Sequence, residues 1–264
     1  MLVKPALSLV LATMMLLLFA QCAPTATSEQ KNGVKASVSI KMMTSLPIVW
    51  GEGSSMQEIL SGDSKSAPIY KHWQNQYEMK AVDSLEGLIG GKTDIVMLVQ
   101  PRAMAPADLA ELDGWIRNGG DAIIMTDPDL VWPSELPLGD PQRPLSSGLL
   151  SPLLKHWGLE LVSKENAAVM VELEFADQKI TTVGVGGFEI IKQNSAKEVA
   201  CKLSEAGFIA QCQIGKGRVI LAADADFLHE QLWTEDIQFK EHGESGAMRF
   251  TDALVDQFRN VSKD

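Results

Sequence analysis

An α/β domain with an open, mostly parallel sheet between helices and a small antiparallel insertion is predicted by three features of the sequence. Residues 94–100 (DIVMLVQ) and 122–126 (AIIMT) are almost wholly apolar inside, as strands covered on both faces are. Between them lies the clearest helix of the chain, with Leu109, Leu112, Trp115 and Ile116 on one face. Strand, helix and strand in that order call for a right-handed crossover and parallel pairing.

The remaining elements follow in order. Residues 38–43 (VSIKMM) alternate as a first strand, ended by Thr44, Ser45, Leu46 and Pro47, since proline lacks the ladder's amide hydrogen. The Gly- and Ser-rich stretch 51–66 is expected to be a loop with room for one helical turn. A helix over 69–77 and a short strand over 79–82 come next. Pro106 opens the main helix, Asp108 and Glu111 complement its dipole, and Asn118, Gly119 and Gly120 close it.

Beyond a Pro-rich loop at 127–144, a helix is expected over 149–157, stopped by Gly158. Residues 169–175 and 179–185 read as a hairpin around Ala176, Asp177 and Gln178, followed by a strand over 188–191. Together they form an inserted β unit at about 160–192. Ser195 with Glu198 three residues later has the form of a capping box, predicting a helix to Ala206. Residues 208–214 alternate as a strand, Gly215, Lys216 and Gly217 turn, and 218–223 (RVILAA) is the last buried strand. An amphipathic helix over 246–259 closes the domain through Phe250, Leu254 and Phe258.

The chain has 264 residues, of which 45% are hydrophobic, enough for one domain with a substantial core over 37–264. Its 23 Lys and Arg face 34 Asp and Glu, a net charge of −11. Such a surface repels phosphate backbones and anionic lipid, which argues against nucleic-acid binding. The N-terminus has an export layout over residues 1–22: Lys4 near the start, an uncharged apolar run at 6–20, then small residues. That run is short for a membrane span, which needs about 20 residues, and suits a signal-peptide core. A polar linker follows over 23–36. Cys22 stands where a bacterial lipoprotein carries its lipid, although Gln21 precedes it instead of a small residue. Lipidation at Cys22, plain cleavage after Ala20 and an uncleaved anchor are the three outcomes open. The protein is expected to be exported, and held on the membrane only if that N-terminal anchor stays.

In open α/β sheets ligands bind beyond the carboxyl ends of the strands. The residues that fall there are Thr44, Ser45, Trp50 and Glu52 after the first strand, Arg102 after the third, Asp127 and Asp129 after the fourth, and Asp224 and Asp226 after the last. Converging carboxylates would bind Mg²⁺ or Ca²⁺. The plainer reading is that each aspartate caps a turn or helix, Asp226 before Phe227 being one case, with Arg102 neutralising the edge by an ion pair. No cofactor is expected. Residues 184–187 (GVGG) follow a hairpin instead of opening a helix, and the four histidines lack paired metal spacing. Cys201 and Cys212 are the remaining cysteines. An oxidising compartment favours their pairing, their differing faces oppose it, and the disulfide is left open.

Residues 44–47 (TSLP), 112–120 (LDGWIRNGG) running into 123–128 (IIMTDP), 149–158 (LLSPLLKHWG) and 217–227 resemble the ABC-transporter auxiliary domain, the extracytoplasmic part of gliding-motility GldG-type proteins. The resemblance spans roughly residues 38–232. It implies a flavodoxin-like, class I glutamine amidotransferase-like three-layer fold, and permease and ATPase subunits of an ABC transporter as partners. Members often carry a membrane helix after this domain. The sequence ends at Asp264 without one, so a separate lipoprotein or secreted accessory is expected. No cysteine stands between Cys22 and Cys201 to act as an amidotransferase nucleophile, so a non-enzymatic accessory or binding role is expected. The alternatives are a metal-dependent hydrolase or carbohydrate-processing enzyme using Glu52, Asp127, Asp129, Asp224 and Asp226, and a small-ligand binding protein with Trp50 and Trp132 lining a cleft.

Overall fold

The computed structural model describes residues 37–164, 169–191, 198–234 and 236–259. The export segment, the linker, Cys22 and Ser195 lie outside them. Among the described residues no helix is long and apolar enough to cross a membrane.

Burial on two faces builds the centre of the molecule. Strands β1 (Ser39–Thr44), β2 (Glu78–Ala81), β3 (Ile95–Val99) and β4 (Asp121–Met125) pair in parallel in the order β2-β1-β3-β4. Next to β4 lies β11 (Gly217–Ala222), also parallel, and then β10 (Ile209–Ile214) and β9 (Val199–Leu203), antiparallel in turn, to complete seven strands. Every residue of β3 and β4 is buried.

Alternate side chains leave this sheet in opposite directions. Met42, Met97, Val99, Ile123 and Ile220 pack on one side against α2 (Pro68–Gln76) and α6 (Gly246–Arg259), through Trp73, Phe250, Leu254 and Phe258. Val96, Leu98, Ile124 and Leu221 pack on the other against α3 (Pro106–Arg117) and α4 (Ser151–His156), through Leu112, Ile116, Leu153 and Trp157. Each such aliphatic side chain contributes about 1.5–3 kcal/mol by leaving water. Polar pins align α2 with α6: Trp73 Nε1 donates to Thr251 Oγ1 at 2.9 Å, and Tyr77 donates to Asp252 Oδ1 at 2.6 Å. At the amino edge Arg218 grips Asp121 at 2.7 and 3.1 Å and covers the Phe258 ring.

The insertion is larger than one hairpin. β5 (Leu159–Val162) pairs antiparallel with β8 (Gly187–Ile190), and β6 (Met170–Phe175) with β7 (Gln178–Val183), giving two small separate sheets. The stretch 51–66 contains α1 (Met56–Ser61), capped reciprocally by Ser55 and Glu58, and α5 (Ile237–His242) adds a helix with no strong periodic signal.

One expected helix is corrected. Residues 199–203 form β9 instead of a helix, because their side chains alternate between half-buried and exposed, and Val199 to Leu203 pair with β10. This settles the cysteines. Cys201 lies directly across from Cys212, and the two form a disulfide. The opposition of faces that argued against pairing came from placing Cys201 on a helix.

Two predictions follow from these contacts. The disulfide closes a loop of 11 residues in sequence separation. Replacing both cysteines by serine should lower the free energy of unfolding in urea by about 3 kcal/mol; an unchanged midpoint would mean that the β9 edge holds without it. Asp113 joins α3 to α4, accepting hydrogen bonds from Arg117 at 2.7 Å and Trp157 at 2.8 Å. Burial alone would raise its carboxyl, but these partners hold it below the usual carboxylate range. Its contribution is therefore full above the ordinary value of 3.8 and lost as pH falls through the lower folded value. Asp113→Asn should cost about 1–2 kcal/mol at neutral pH and progressively less under acid, read from urea unfolding at a series of pH values.

Candidate functional site

Because β3, β4 and β11 are apolar inside, with Asp121 and Arg218 only at their amino ends, polar chemistry collects where they end. At the carboxyl end of β3 the chain turns through Gln100, which is fully buried and has a φ of 41°. Its side-chain amide bridges two loops. Oε1 accepts the Asp127 N–H at 2.8 Å, and Nε2 donates to the carbonyls of Asp127 and Leu145, each at 3.1 Å. Its backbone carbonyl accepts both the N–H and the Oγ–H of Ser45. One residue thus joins the loops after β1, β3 and β4. The sequence places it at the end of the third strand, but only as a polar residue closing an apolar run, with no sign that it joins loops.

The strand-end residues fall into three groups. Thr44, Ser45, Trp50 and Arg102 line one cleft of about 370 Å³, with Asp83 and Ile59. The chain leaves β1 toward β2 on one side and returns to β3 on the other, so this cleft occupies the crevice where the strand order reverses, the usual ligand position in such sheets. Trp50 is 48% exposed, and Arg102 donates to the Arg143 carbonyl at 3.5 Å, while among the described residues it forms no ion pair of the kind expected.

Glu52 borders a second cleft of about 530 Å³, which shares Pro47 and Gly51 with the first and is walled by Trp132 and His229, with Lys65 and Lys71. The two tryptophans therefore serve neighbouring clefts instead of one. Trp132 meets the His229 ring edge-on at 4.6 Å. His229 Nδ1 accepts the Gln231 N–H, which leaves the proton on Nε2, and burial lowers its basicity. His229 and Lys71 were not singled out in the sequence, where neither carries a motif.

The third group is Asp127, Asp224 and Asp226, at the ends of β4 and β11. Each offers a carboxylate oxygen within 4.8 Å of the others, and their exposures are 0, 0 and 3%. Adjacent parallel strands in register bring them together, with Ala222 paired to Met125. Asp129 and Glu52 are outside the group: Glu52 accepts the Glu135 N–H instead. The turn after β11 is capped by Asp224, which accepts the N–H groups of Asp226 and Phe227 and the Thr182 hydroxyl, so the cap lies two residues before the Asp226 expected from the sequence. Both oxygens of Asp226 accept the Val131 N–H, at 3.1 and 2.9 Å.

Burial pushes Asp127 up to about 7, with the Asp226 charge adding to it against the Asp129 N–H. It pushes Asp226 up to about 6 against the Val131 N–H, and raises Asp224 well above the ordinary range. Chemically, then, the carboxyl edge offers two open clefts for binding and one closed, all-oxygen cluster.

A family profile described as "ABC-type uncharacterized transport system" matches residues 39–194. No curated protein matches the chain. Among solved structures, an exo-beta-1,4-mannosidase from Opitutaceae bacterium strain TAV5 is similar at 12% identity and a TM-score of 0.46, over 86% of this chain and 37% of that one. A beta-galactosidase from Rahnella sp. R3 is similar at 10% identity and a TM-score of 0.45, over 84% of this chain and 31% of that one. A cytoplasmic protein from Salmonella typhimurium is similar at 10% identity and a TM-score of 0.45, over 86% of this chain and its full length. The chain spans about a third of the length of the glycosidases it matches. Likenesses this distant transfer no chemistry.

The loop-joining role of Gln100 is testable. Gln100→Ala leaves the buried Asp127 N–H and the Leu145 carbonyl without their partner, which should cost about 2–4 kcal/mol in urea unfolding. A cost below about 1 kcal/mol would show that these loops are held by other contacts.

Proposed function

Because this chain belongs to the ABC-type uncharacterized transport system family, we propose that it is a non-enzymatic, extracytoplasmic accessory of such a transporter, acting by binding. The family match over residues 39–194 carries the reading, since it includes the loops after β1 to β4 that form the switch-point cleft and most of its neighbour. The export layout of residues 1–22 supports a place outside the cytoplasm, as does the Cys201–Cys212 disulfide, a bond that persists in oxidising compartments. Lipidation at Cys22 would hold the protein beside a membrane-embedded permease. The non-enzymatic part rests on the strand-end acids: those of the closed cluster accept backbone N–H groups, and no cysteine stands at a strand-to-helix turn in the position an amidotransferase needs. We read the order β2-β1-β3-β4-β11 as the flavodoxin-like, amidotransferase-like layering that a GldG-type relationship implies.

On this reading the transporter partner docks at the carboxyl edge. Trp50, Met56, Leu60 and Leu138 are exposed there or on the adjoining loops, more apolar surface than a solvated edge requires. A second reading, capture of a small solute, is favoured by the two clefts and their tryptophan walls.

A pull-down with the full-length chain from detergent-solubilised membranes tests the first. Recovery of a permease or ATPase subunit is expected, with a bait whose intact mass shows a diacylglyceryl group on Cys22. Charged substitutions at Trp50 and Leu60 should weaken that recovery roughly tenfold or more. Repeated recovery of the bait alone, beside a working control, would remove the accessory reading.

A further inference from the structure

We propose that Asp127, Asp224 and Asp226 form a site for a hard divalent cation of the calcium class, joining the loops that follow β4 and β11. The inference is independent of the transport reading. Each residue presents a carboxylate oxygen, and these oxygens lie within 4.8 Å of one another. Ligands on opposite sides of a calcium ion stand roughly 4.6–5.2 Å apart, twice the Ca–O distance. The three oxygens therefore fit one coordination sphere as they stand. The donor set is all oxygen, without nitrogen or sulfur, which suits calcium and magnesium over transition metals. Burial favours calcium, since magnesium keeps much of its water shell.

A second observation comes from Asp127 itself. Its Oδ1 accepts the Asp129 N–H at 2.8 Å, while Oδ2, fully buried, makes no well-formed hydrogen bond, although the Asp226 carboxyl and the Ala225 N–H also interact with this side chain. A buried carboxylate oxygen without a well-formed hydrogen bond is costly, and this one belongs to the cluster where two further carboxyls converge. Among the described residues no Lys or Arg pairs with any of the three, so the protein supplies no positive charge of its own. The remaining donors act as supports. Thr182 and the turn N–H groups orient Asp224, and the Val131 N–H orients Asp226, much as outer-shell groups orient metal ligands. A small cavity of about 70 Å³, bordered by Val131 and His229, lies beside Asp226. A cation at the cluster would stiffen the edge that carries Trp132 and the second cleft.

The full-length chain, stripped with a chelator and dialysed, should be titrated with CaCl₂ by calorimetry and followed by thermal unfolding. One ion per chain and a raised Tm are expected. Asp127→Asn should weaken binding at least about tenfold and abolish the Tm rise, while Asp129→Asn, outside the cluster, should bind as the wild type does. Absence of heat and of any Tm change in the wild type would overturn the site and leave the carboxyls holding protons. Undiminished binding by Asp127→Asn would also overturn it, by placing the ion elsewhere. If Asp127→Asn does not fold, the wild-type titration decides alone.

Discussion

Covering β3, β4 and β11 on both faces is the constraint on which the rest of this structure depends. Two separate apolar cores, one under α2 and α6 and one under α3 and α4, lie on the two faces of the sheet that these strands centre. A polar side chain inside any of them would be buried against one core or the other without partners. Polar chemistry is thereby driven to the strand ends. At the amino edge it becomes a structural clasp, Arg218 on Asp121. At the carboxyl edge it becomes two clefts and a closed acidic cluster.

The carboxyl edge is a connected unit. Gln100 ties the loop after β3 to those after β1 and β4, and Asp226 ties the loop after β4 to the turn after β11 through Val131. Trp132, next to Val131, walls the second cleft, and His229, at the end of the turn after β11, faces it. The shape of the cleft therefore rests on hydrogen bonds made by residues that do not line it. Whatever neutralises the acidic cluster, proton or cation, acts on the same loops.

Beyond β11 the sheet changes character. β10 and β9 run antiparallel and expose alternate residues, and the last strand would present an unpaired edge to other chains. The Cys201–Cys212 bridge holds that edge in register with its neighbour.

Much of the architecture was legible in the sequence because burial leaves a periodic record. Double-sided strands show as apolar runs, and α3 and α6 show as apolar stripes with caps, so their placement followed from residues alone. Three features did not follow. The strand over 199–203 carried a false capping signal, and only pairing with β10 decided between helix and strand. The convergence of Asp127, Asp224 and Asp226, without Asp129 and Glu52, depended on β11 inserting next to β4, a pairing of segments about 95 residues apart. The division of Trp50 and Trp132 between two clefts depended on how the Pro-rich loop folds back over the edge. The sequence by itself determined the elements, the two buried faces and the edge on which chemistry would gather, because hydrophobic periodicity is local. Which of those edge residues meet was decided only by the tertiary structure, because strand order and loop packing arise from contacts between segments far apart in the chain.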